Sequence, residues 1–296
     1  MKAFDEKQTG LLTSLDLKSL RSRIGYWCIV GFIVLVSIIC IFPPLWVFLS
    51  SFKDVKEFLS IPPTIIPHSF HPEKLVEVWK SMNFGKYYIN TFYLAIGELV
   101  FCIFFNGLAG YVISRLKPKG SMLFFSLVLW SMMLPTSVSM VPLFMSFIDF
   151  PIFHFSMLNS YFPMWLMAGA NAFNVLLFKN FFDSIPMSYL EAARIDGCSN
   201  LGIFTRIILP LSKPIIMVVA IFSINASWES FFWPYLVIKD KSLTTVAVQL
   251  FKMKATGFAM DKYMIVLLFS ILPPAIIFLF FQKYIMEGVT MSGIKG

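Results

Sequence analysis

The chain has 296 residues, of which 58% are hydrophobic and only 14% are charged, and its mean hydropathy is +0.77. A soluble globular domain contains about a quarter charged residues, so this composition excludes that class. The net charge of +8 is spread along the chain without a basic cluster, which argues against nucleic-acid binding and is typical of cationic flanks of membrane spans.

Six apolar segments are long enough, at about 20 residues each, to cross the roughly 30 Å hydrocarbon core of a bilayer. Backbone polar groups in lipid must be paired within the protein, so each segment is predicted to be an α-helix. In chain order the predicted spans are Tyr26–Leu49, Tyr88–Ile113, Ser121–Phe144, Leu158–Phe178, Pro214–Ile238 and Tyr263–Tyr284. The sequence therefore predicts an all-α, polytopic membrane protein with six transmembrane helices.

Prolines punctuate the first, third and sixth predicted spans, where each removes a backbone donor and favours a kink. These prolines are Pro43, Pro44, Pro135, Pro142, Pro273 and Pro274. Bent helices of this kind either line a pathway or are ordinary irregularities of a membrane bundle.

The segment that follows the first span, residues 51–86, begins with a proline-rich stretch that excludes a regular helix. Its later part, PEKLVEVWKSM, predicts a short amphipathic helix. The segment either docks a soluble partner or seals the bundle.

The distribution of Lys and Arg indicates the orientation of the chain. An even number of spans places both termini on one side, and the first span is too long for a cleavable signal peptide. With the termini inside, the interior segments contain 14 Lys and Arg residues against 10 in the exterior ones. This bias favours cytoplasmic termini.

A polar insert with turn signals lies between the fourth and fifth spans. Asp183 or Ser184 is the predicted N-cap of a helix that has Pro186 in its first turn. The helix is predicted to run to Asp196 and to stop at Gly197, a residue type that favours the left-handed conformation.

A second short helix is predicted after this turn, capped by Ser199 and ended by Pro210. The small side chains of Ala192 and Ala193 leave a shallow surface on the first helix. Larger apolar side chains lie beside it: Met187, Tyr189 and Leu190. The insert is therefore predicted to be a cytoplasmic helix–turn–helix that docks into a groove on another protein, or a surface hairpin that only joins two spans.

The spacing Glu-Ala-Ala, three residues, Gly, nine residues, Ile-x-Leu-Pro resembles the signature of the membrane subunits of ABC importers. The matching residues are Glu191, Ala192, Ala193, Gly197, Ile207, Leu209 and Pro210. The longer stretch IPMSYLEAARIDGCSNLGIFTRIILPLSKP resembles the carbohydrate-uptake branch, and departs from it at Ser188 and Cys198. Together with the segment that ends in Gly110-Tyr111-x-x-Ser114-Arg115 and the C-terminal GVTMSGIKG, which is similar to the end of the shorter maltose-type permease subunit, the resemblance covers about residues 88–296.

This resemblance implies a domain organisation. Residues 1–25 would be a cytoplasmic tail and residues 26–87 the first transmembrane helix with an external loop. Residues 88–286 would form the importer core, including a coupling hairpin at 183–213, and residues 287–296 a cytoplasmic tail.

The resemblance also implies the partners. The chain would be the permease of an ATP-driven importer in a bacterial cytoplasmic membrane, paired with a second permease subunit. A solute-binding protein outside the cell would deliver a sugar or oligosaccharide. ATP and Mg would bind a separate dimeric ATPase, so no cofactor and no enzymatic reaction is expected on this chain.

The resemblance implies that the hairpin is the contact with the ATPase, through Glu191, Ala192, Ala193, Asp196, Gly197, Ile207, Leu209 and Pro210. By the same resemblance the tail would reach the ATPase dimer through Gly293, Lys295 and Gly296.

The sequence contains no motif that predicts a nucleotide-binding or metal site on this chain. The phosphate-binding pattern G-x-x-x-x-G-K-[ST] is missing from the sequence, and its three histidines have no metal-ligand spacing. Three of the four cysteines lie in apolar runs and are predicted to be small buried hydrophobic residues.

Polar and aromatic side chains at membrane depth are candidates for the substrate pathway. They are Asn174, Asn225, Trp228, Glu229 and Trp233. Glu98 is the other intramembrane carboxylate, and such residues favour a functional role. Packing or an interfacial belt is the alternative for each aromatic residue.

Two other classes of function remain open from the sequence. A proton-coupled secondary transporter would use Glu98 or Glu229 as a relay, and a membrane scaffold would transport nothing. The cargo is also open among sugars, polyols, glycerophosphodiesters and oligosaccharides.

Overall fold

The computed structural model describes residues 20–62 and 64–293, except for the side chains of residues 21 and 283–293, and this part of the chain is helical without a β-strand. The helices, in chain order, are α1 (Leu20–Ser50), α2 (Glu73–Ser81), α3 (Phe84–Leu116), α4 (Ser121–Ser131), α5 (Thr136–Ile148), α6 (Phe162–Gly169), α7 (Ala172–Asp183), α8 (Met187–Ile195), α9 (Asn200–Leu211), α10 (Lys213–Glu229), α11 (Phe232–Val237), α12 (Val246–Ala255) and α13 (Met260–Gly293). Helix α2 confirms the predicted amphipathic segment.

Three of the described helices are individually long and apolar enough to cross a membrane, over Ser22–Ser50, Phe84–Leu116 and Met260–Gln282. Two bent pairs raise the number of candidate spans to as many as five, namely α4 with α5, bent by 105°, and α9 with α10, bent by 81°. The structure thus shows several candidate spans.

A single helix over the predicted fourth span, Leu158–Phe178, is wrong. The segment forms α6 and α7, which are separated by a break at Ala170 and Asn171. The predicted third span, Ser121–Phe144, is likewise interrupted between α4 and α5.

The prolines act differently in different helices. Pro135 precedes α5 with an extended ψ of 132°, and it has no backbone N–H with which to continue the hydrogen bonds of α4. Pro43 and Pro44 lie inside α1, and Pro273 and Pro274 lie inside α13, without ending either helix.

The connecting segments meet at two ends of the helix bundle. At one end, the Tyr161 hydroxyl donates to the Leu243 carbonyl at 2.6 Å, and Asn90 Nδ2 donates to the Thr244 carbonyl at 2.9 Å. Lys74 Nζ lies 3.5 Å from the Asp261 carboxylate. Residues 51–62, 64–83, 149–161 and 238–259 therefore share this end, called the loop end below.

The other end, called the hairpin end, contains residues 117–120 and 184–212. There the last turn of α3 meets the last turn of α7, since the Ser114 hydroxyl donates to Asp183 Oδ1 at 2.6 Å. Successive connections thus alternate between the two ends.

The interior of the bundle consists of α3, α6, α7 and α10, with α13 packed against α10 and α1 packed against α13. Most side chains of α1 are exposed in the isolated chain. Buried aromatic side chains fill the contacts within the bundle, among them Phe84, Tyr111, Phe178, Phe204 and Trp228.

Candidate functional site

The hairpin end carries α8 and α9, joined by a tight turn. Gly197 has φ +78°, and its N–H donates to the Arg194 carbonyl at 3.1 Å. The next N–H, of Cys198, reaches back to the Ala193 carbonyl at 2.9 Å. This pair of bonds is a Schellman motif, which satisfies the last carbonyls of a helix and favours glycine at the left-handed residue.

Ser199 caps the second helix as predicted, because its Oγ accepts the N–H of Gly202 at 3.1 Å. The predicted N-cap of the first helix is wrong. Pro186 is the cap residue of α8, whereas Asp183 ends α7 and pairs with Lys179 at 2.8 Å. The predicted helix end is off by one residue, since Asp196 is the C-cap.

One face of the hairpin is buried against the transmembrane bundle. Leu190 has no exposed surface and Ala193 is 5% exposed. They pack in a cluster that includes Tyr111 of α3 and Phe178 of α7. The hairpin is thus anchored by apolar contacts to the ends of two bundle helices, and Leu190 does not belong to an outward docking surface.

The opposite face of the hairpin is open. Of the residues predicted to contact an ATPase, Glu191, Ala192, Asp196, Gly197 and Pro210 are exposed. Ile207 and Leu209 are half-buried against the cluster, and Ala193 is buried within it.

Three apolar side chains on this open face are Tyr189, Ile195 and Leu201, exposed by 53%, 87% and 55%. The sequence analysis missed Ile195 and Leu201. Their signal is an apolar residue that falls off the buried stripe of a short helix.

Arg115 fastens the hairpin to α3. Its guanidinium donates to the carbonyls of Phe182, in the last turn of α7, and Ile185, just beyond that helix. The sequence analysis named Arg115 only as part of the resemblance and missed this contact.

A cavity of about 400 Å³ lies among α3, α6, α7, α10 and α11. Its walls combine apolar side chains with a few polar ones. The lining residues are Glu98, Cys102, Met164, Met167, Ala168, Asn171, Phe173, Asn174, Phe222, Ser223, Ala226, Ser230 and Trp233.

The break between α6 and α7 forms part of this cavity. Asn106, fully buried on α3, donates to the Ala168 carbonyl at 2.8 Å and accepts the Asn171 N–H at 3.0 Å. It thereby pairs backbone groups that the break would leave unpaired. Interrupted helices at membrane depth are tolerated where the backbone is buried in protein or lines a cavity.

The predicted pathway residues divide into two groups. Asn174 and Trp233 line the cavity, as does Glu98, whose carboxyl accepts a hydrogen bond from Ser227 Oγ. Trp228 instead packs among aromatic rings and donates to the Ser270 carbonyl at 2.9 Å. The remaining two, Asn225 and Glu229, do not line the cavity.

Among the described residues there is no group of three or more His, Cys, Asp or Glu side chains that could hold a metal ion. Helix α13 continues to Gly293, so residues 287–293 are helical, while Lys295 and Gly296 lie outside the described residues.

Comparison with known proteins gives a family and a fold. Residues 103–290 match the family described as the binding-protein-dependent transport system inner membrane component. The arabinooligosaccharides transport system permease protein of Bacillus subtilis is 32% identical over 272 residues, covering 90% of this chain and 94% of that protein.

The sn-glycerol-3-phosphate transport system permease protein of Pectobacterium atrosepticum is 29% identical over 269 residues, covering 88% of this chain and 94% of that protein. A crystal structure of a bacterial ABC transporter involved in the import of the acidic polysaccharide alginate contains a chain with the same fold. Its TM-score is 0.79 at 22% identity, covering 90% of this chain and 98% of that one.

Proposed function

Because the chain belongs to the family of binding-protein-dependent transport system inner membrane components, we propose that it translocates a sugar or oligosaccharide and that a separate ATPase docks on α8 and its turn. The open face of the hairpin carries this proposal. This face has a Schellman turn at Gly197 and exposed apolar side chains. The opposite face of the hairpin is buried against the transmembrane bundle.

Family membership confirms the predicted resemblance. The chain is a permease subunit and not an enzyme, and ATP hydrolysis belongs to a separate subunit. Membership is inconsistent with the proton-coupled alternative that Glu98 and Glu229 suggested.

The substrate class is proposed from two observations. The arabinooligosaccharide permease supports a saccharide cargo. The cavity adds a tryptophan ring, amide groups and a carboxyl within apolar walls, a composition typical of sites for small polar molecules.

We also propose six crossings with both termini in the cytoplasm. The alternation of connections between the loop end and the hairpin end supports this count, with α4 and α5 as one crossing and α6 and α7 as another. Helix α9 lies at 81° to α10, so we assign it to the cytoplasmic hairpin and only α10 to the fifth span. When both termini are counted with the hairpin-end segments, Lys and Arg number 14 on that side against 10 on the other, which supports the orientation.

The assembly proposed is a heterodimer of this chain with a second permease, served by a dimeric ATPase and an external solute-binding protein. Residues 88–286 would be the core, and the hairpin at 183–213 the coupling element with Glu191, Ala192 and Asp196 at its surface. The continuation of α13 to Gly293 supports a C-terminal segment that reaches beyond the bundle toward the ATPase.

The coupling proposal is tested by Gly197→Glu in the complete importer, reconstituted in proteoliposomes with its ATPase and binding protein. A side chain at φ +78° strains the Schellman turn and places a charge on the docking face. We expect ATP hydrolysis stimulated by the loaded binding protein to fall by about tenfold or more, since a docking loss of only 1.4 kcal/mol gives that factor.

Gly257→Glu is the matched control. Gly257 also has positive φ, +67°, and a Cβ there would meet open space, as at Gly197, but it lies at the loop end. We expect this control to retain stimulated hydrolysis. Wild-type uptake by the Gly197→Glu importer, with the ATPase still bound, would contradict the coupling assignment.

A further inference from the structure

The cavity differs from ordinary packing defects in its chemistry. Its volume of about 400 Å³ lies within the range of roughly 300–1,000 Å³ that is common for small-molecule sites. Glu98, Asn171 and Asn174 converge on it from α3 and from the start of α7, and the Trp233 ring forms part of its wall.

The polar groups of the cavity are held in place by neighbouring side chains. Ser227 Oγ donates to Glu98 Oε2, which ties the carboxyl to α10. Asn171 Oδ1 accepts the Asn174 N–H at 3.0 Å, and Asn174 Nδ2 lies 3.1 Å from Cys102 Sγ. Asn106 fixes the break that places Asn171 at the wall. A site of this kind loses little conformational freedom on binding.

The charged side chains that line the cavity are acidic only. Glu98 is the single acidic residue among the described residues that line it, and those residues include no Lys, Arg or His. Carboxylate and phosphate ligands are held by cationic or strong N–H donors, chiefly arginine. An uncompensated carboxylate in a cavity with largely apolar walls repels such ligands, because charges interact more strongly where the dielectric constant is below that of water.

We propose that this cavity binds an uncharged glycosyl unit, with Glu98 accepting hydrogen bonds from its hydroxyl groups and excluding cargo that bears carboxylate or phosphate. The proposal rests on the proposed function and narrows it to neutral saccharides. The proposed cargo differs from the cargo named for two proteins that this chain resembles, which are sn-glycerol 3-phosphate and the acidic polysaccharide alginate.

The charge of the cavity is measured with a reporter thiol. Ala226 lines the cavity and is exposed to it, so the Ala226→Cys variant is prepared in the complete importer in nanodiscs, with Cys28 and Cys40 replaced by Ser. Its reaction rates with a cationic trimethylammonium-ethyl and an anionic sulfonatoethyl methanethiosulfonate are normalised to those of a free thiol. The importer without the Ala226→Cys change gives the background from Cys102 and Cys198.

At about pH 8 we expect the anionic reagent to be disfavoured. Glu98→Gln should raise the anionic rate relative to the cationic one by about fivefold or more, since it removes a like charge at short range. Glu229→Gln is the matched control, because Glu229 is exposed on the same region of α10 but does not line the cavity. Equal selectivity in the parent and in Glu98→Gln overturns the charge exclusion.

Ligand binding is measured by protection of the same thiol. Arabinotriose, a neutral trisaccharide, should slow labelling, whereas trigalacturonate should not, and Glu98→Gln should reduce this difference. Equal protection by the two trisaccharides in the parent, or protection by neither, overturns the neutral glycosyl site. ATP-driven uptake is measured on the same importers reconstituted in proteoliposomes. Uptake that continues without ATP would contradict the proposed function instead, whatever the labelling shows.

Discussion

Both ends of this molecule contain buried apolar side chains, but they differ in what their polar contacts join. At the loop end, distant segments are joined by polar contacts: Asn159 Oδ1 accepts the N–H groups of Lys239 and Asp240, at 2.6 and 3.1 Å. At the hairpin end, α8 and α9 pack through a buried apolar face, and Arg115 provides the main polar fastening. The loop end therefore links connections to one another, while the hairpin end fixes one surface and leaves the other open.

This difference fits the proposed docking of an ATPase at the hairpin end. An element that transmits motion must be fastened firmly to what it moves and must offer a free surface to what moves it. The hairpin meets both conditions, because Leu190 is buried against the bundle while Ile195 is almost fully exposed.

Removal of the Arg115 fastening is expected to have the largest effect. Arg115→Ala leaves the carbonyls of Phe182 and Ile185 without their charged donor. Because hydrogen bonds to charged groups contribute about 1.5–3 kcal/mol when buried, and Arg115 is half-exposed, we expect a loss of about 2 kcal/mol. Hydrogen exchange of the purified protein should increase in α8 and α9 and stay unchanged at the loop end.

Arg206→Ala serves as the control, since Arg206 is an exposed arginine on α9. Its effect on the melting temperature and on exchange should be close to zero. Equal exchange at both ends in Arg115→Ala would show that the two ends are one cooperative unit, and the comparison would fail.

Sequence rules predicted the hairpin in most details, because its determinants are local. Gly197 and Ser199 act within two turns of their own helices. The first cap was misplaced because Asp183 is engaged by Lys179 and Ser114 at the end of α7. That partnership depends on how α3 and α7 pack.

The break in the fourth span could not be predicted in the same way. Residues 158–178 are apolar enough to predict one helix, and the partner that stabilises the break, Asn106, is 65 residues away from Asn171 along the chain. For the same reason Trp228 and Trp233 were equivalent in the sequence, although one packs against aromatic rings and the other lines the cavity.

The open face of the hairpin is expected to give the second largest effect. Ile195→Ser replaces an apolar side chain that is 87% exposed in the isolated chain. Burial of such a side chain in an interface contributes about 1.5–3 kcal/mol, so we expect affinity for the ATPase to fall by about tenfold. The measurement is titration of the ATPase against the permease pair in nanodiscs.

The matched control for Ile195→Ser is the same substitution at the loop end. Ile152 is 73% exposed, and Ile152→Ser should leave affinity for the ATPase unchanged. An equal loss of affinity in both variants would mean that the ATPase contact does not depend on the hairpin face.

The smallest effect is expected from the ion pair of the loop end. The hydrogen bond from Lys74 holds the pKa of Asp54 below its ordinary value. A carboxyl with a lowered folded-state pKa stabilises the fold above its unfolded pKa of about 4, and this contribution is lost as the pH falls through the folded pKa. Asp54→Asn should therefore lower the melting temperature slightly at neutral pH, and the difference from the unchanged protein should vanish in acid.

Glu77→Gln is the control, since its carboxylate lies 4.0 Å from Lys262 with both side chains largely exposed. A difference in melting temperature for Asp54→Asn that persists at low pH would contradict stabilisation of the loop end by this ion pair. Hydrogen exchange at the hairpin end should stay unchanged at every pH.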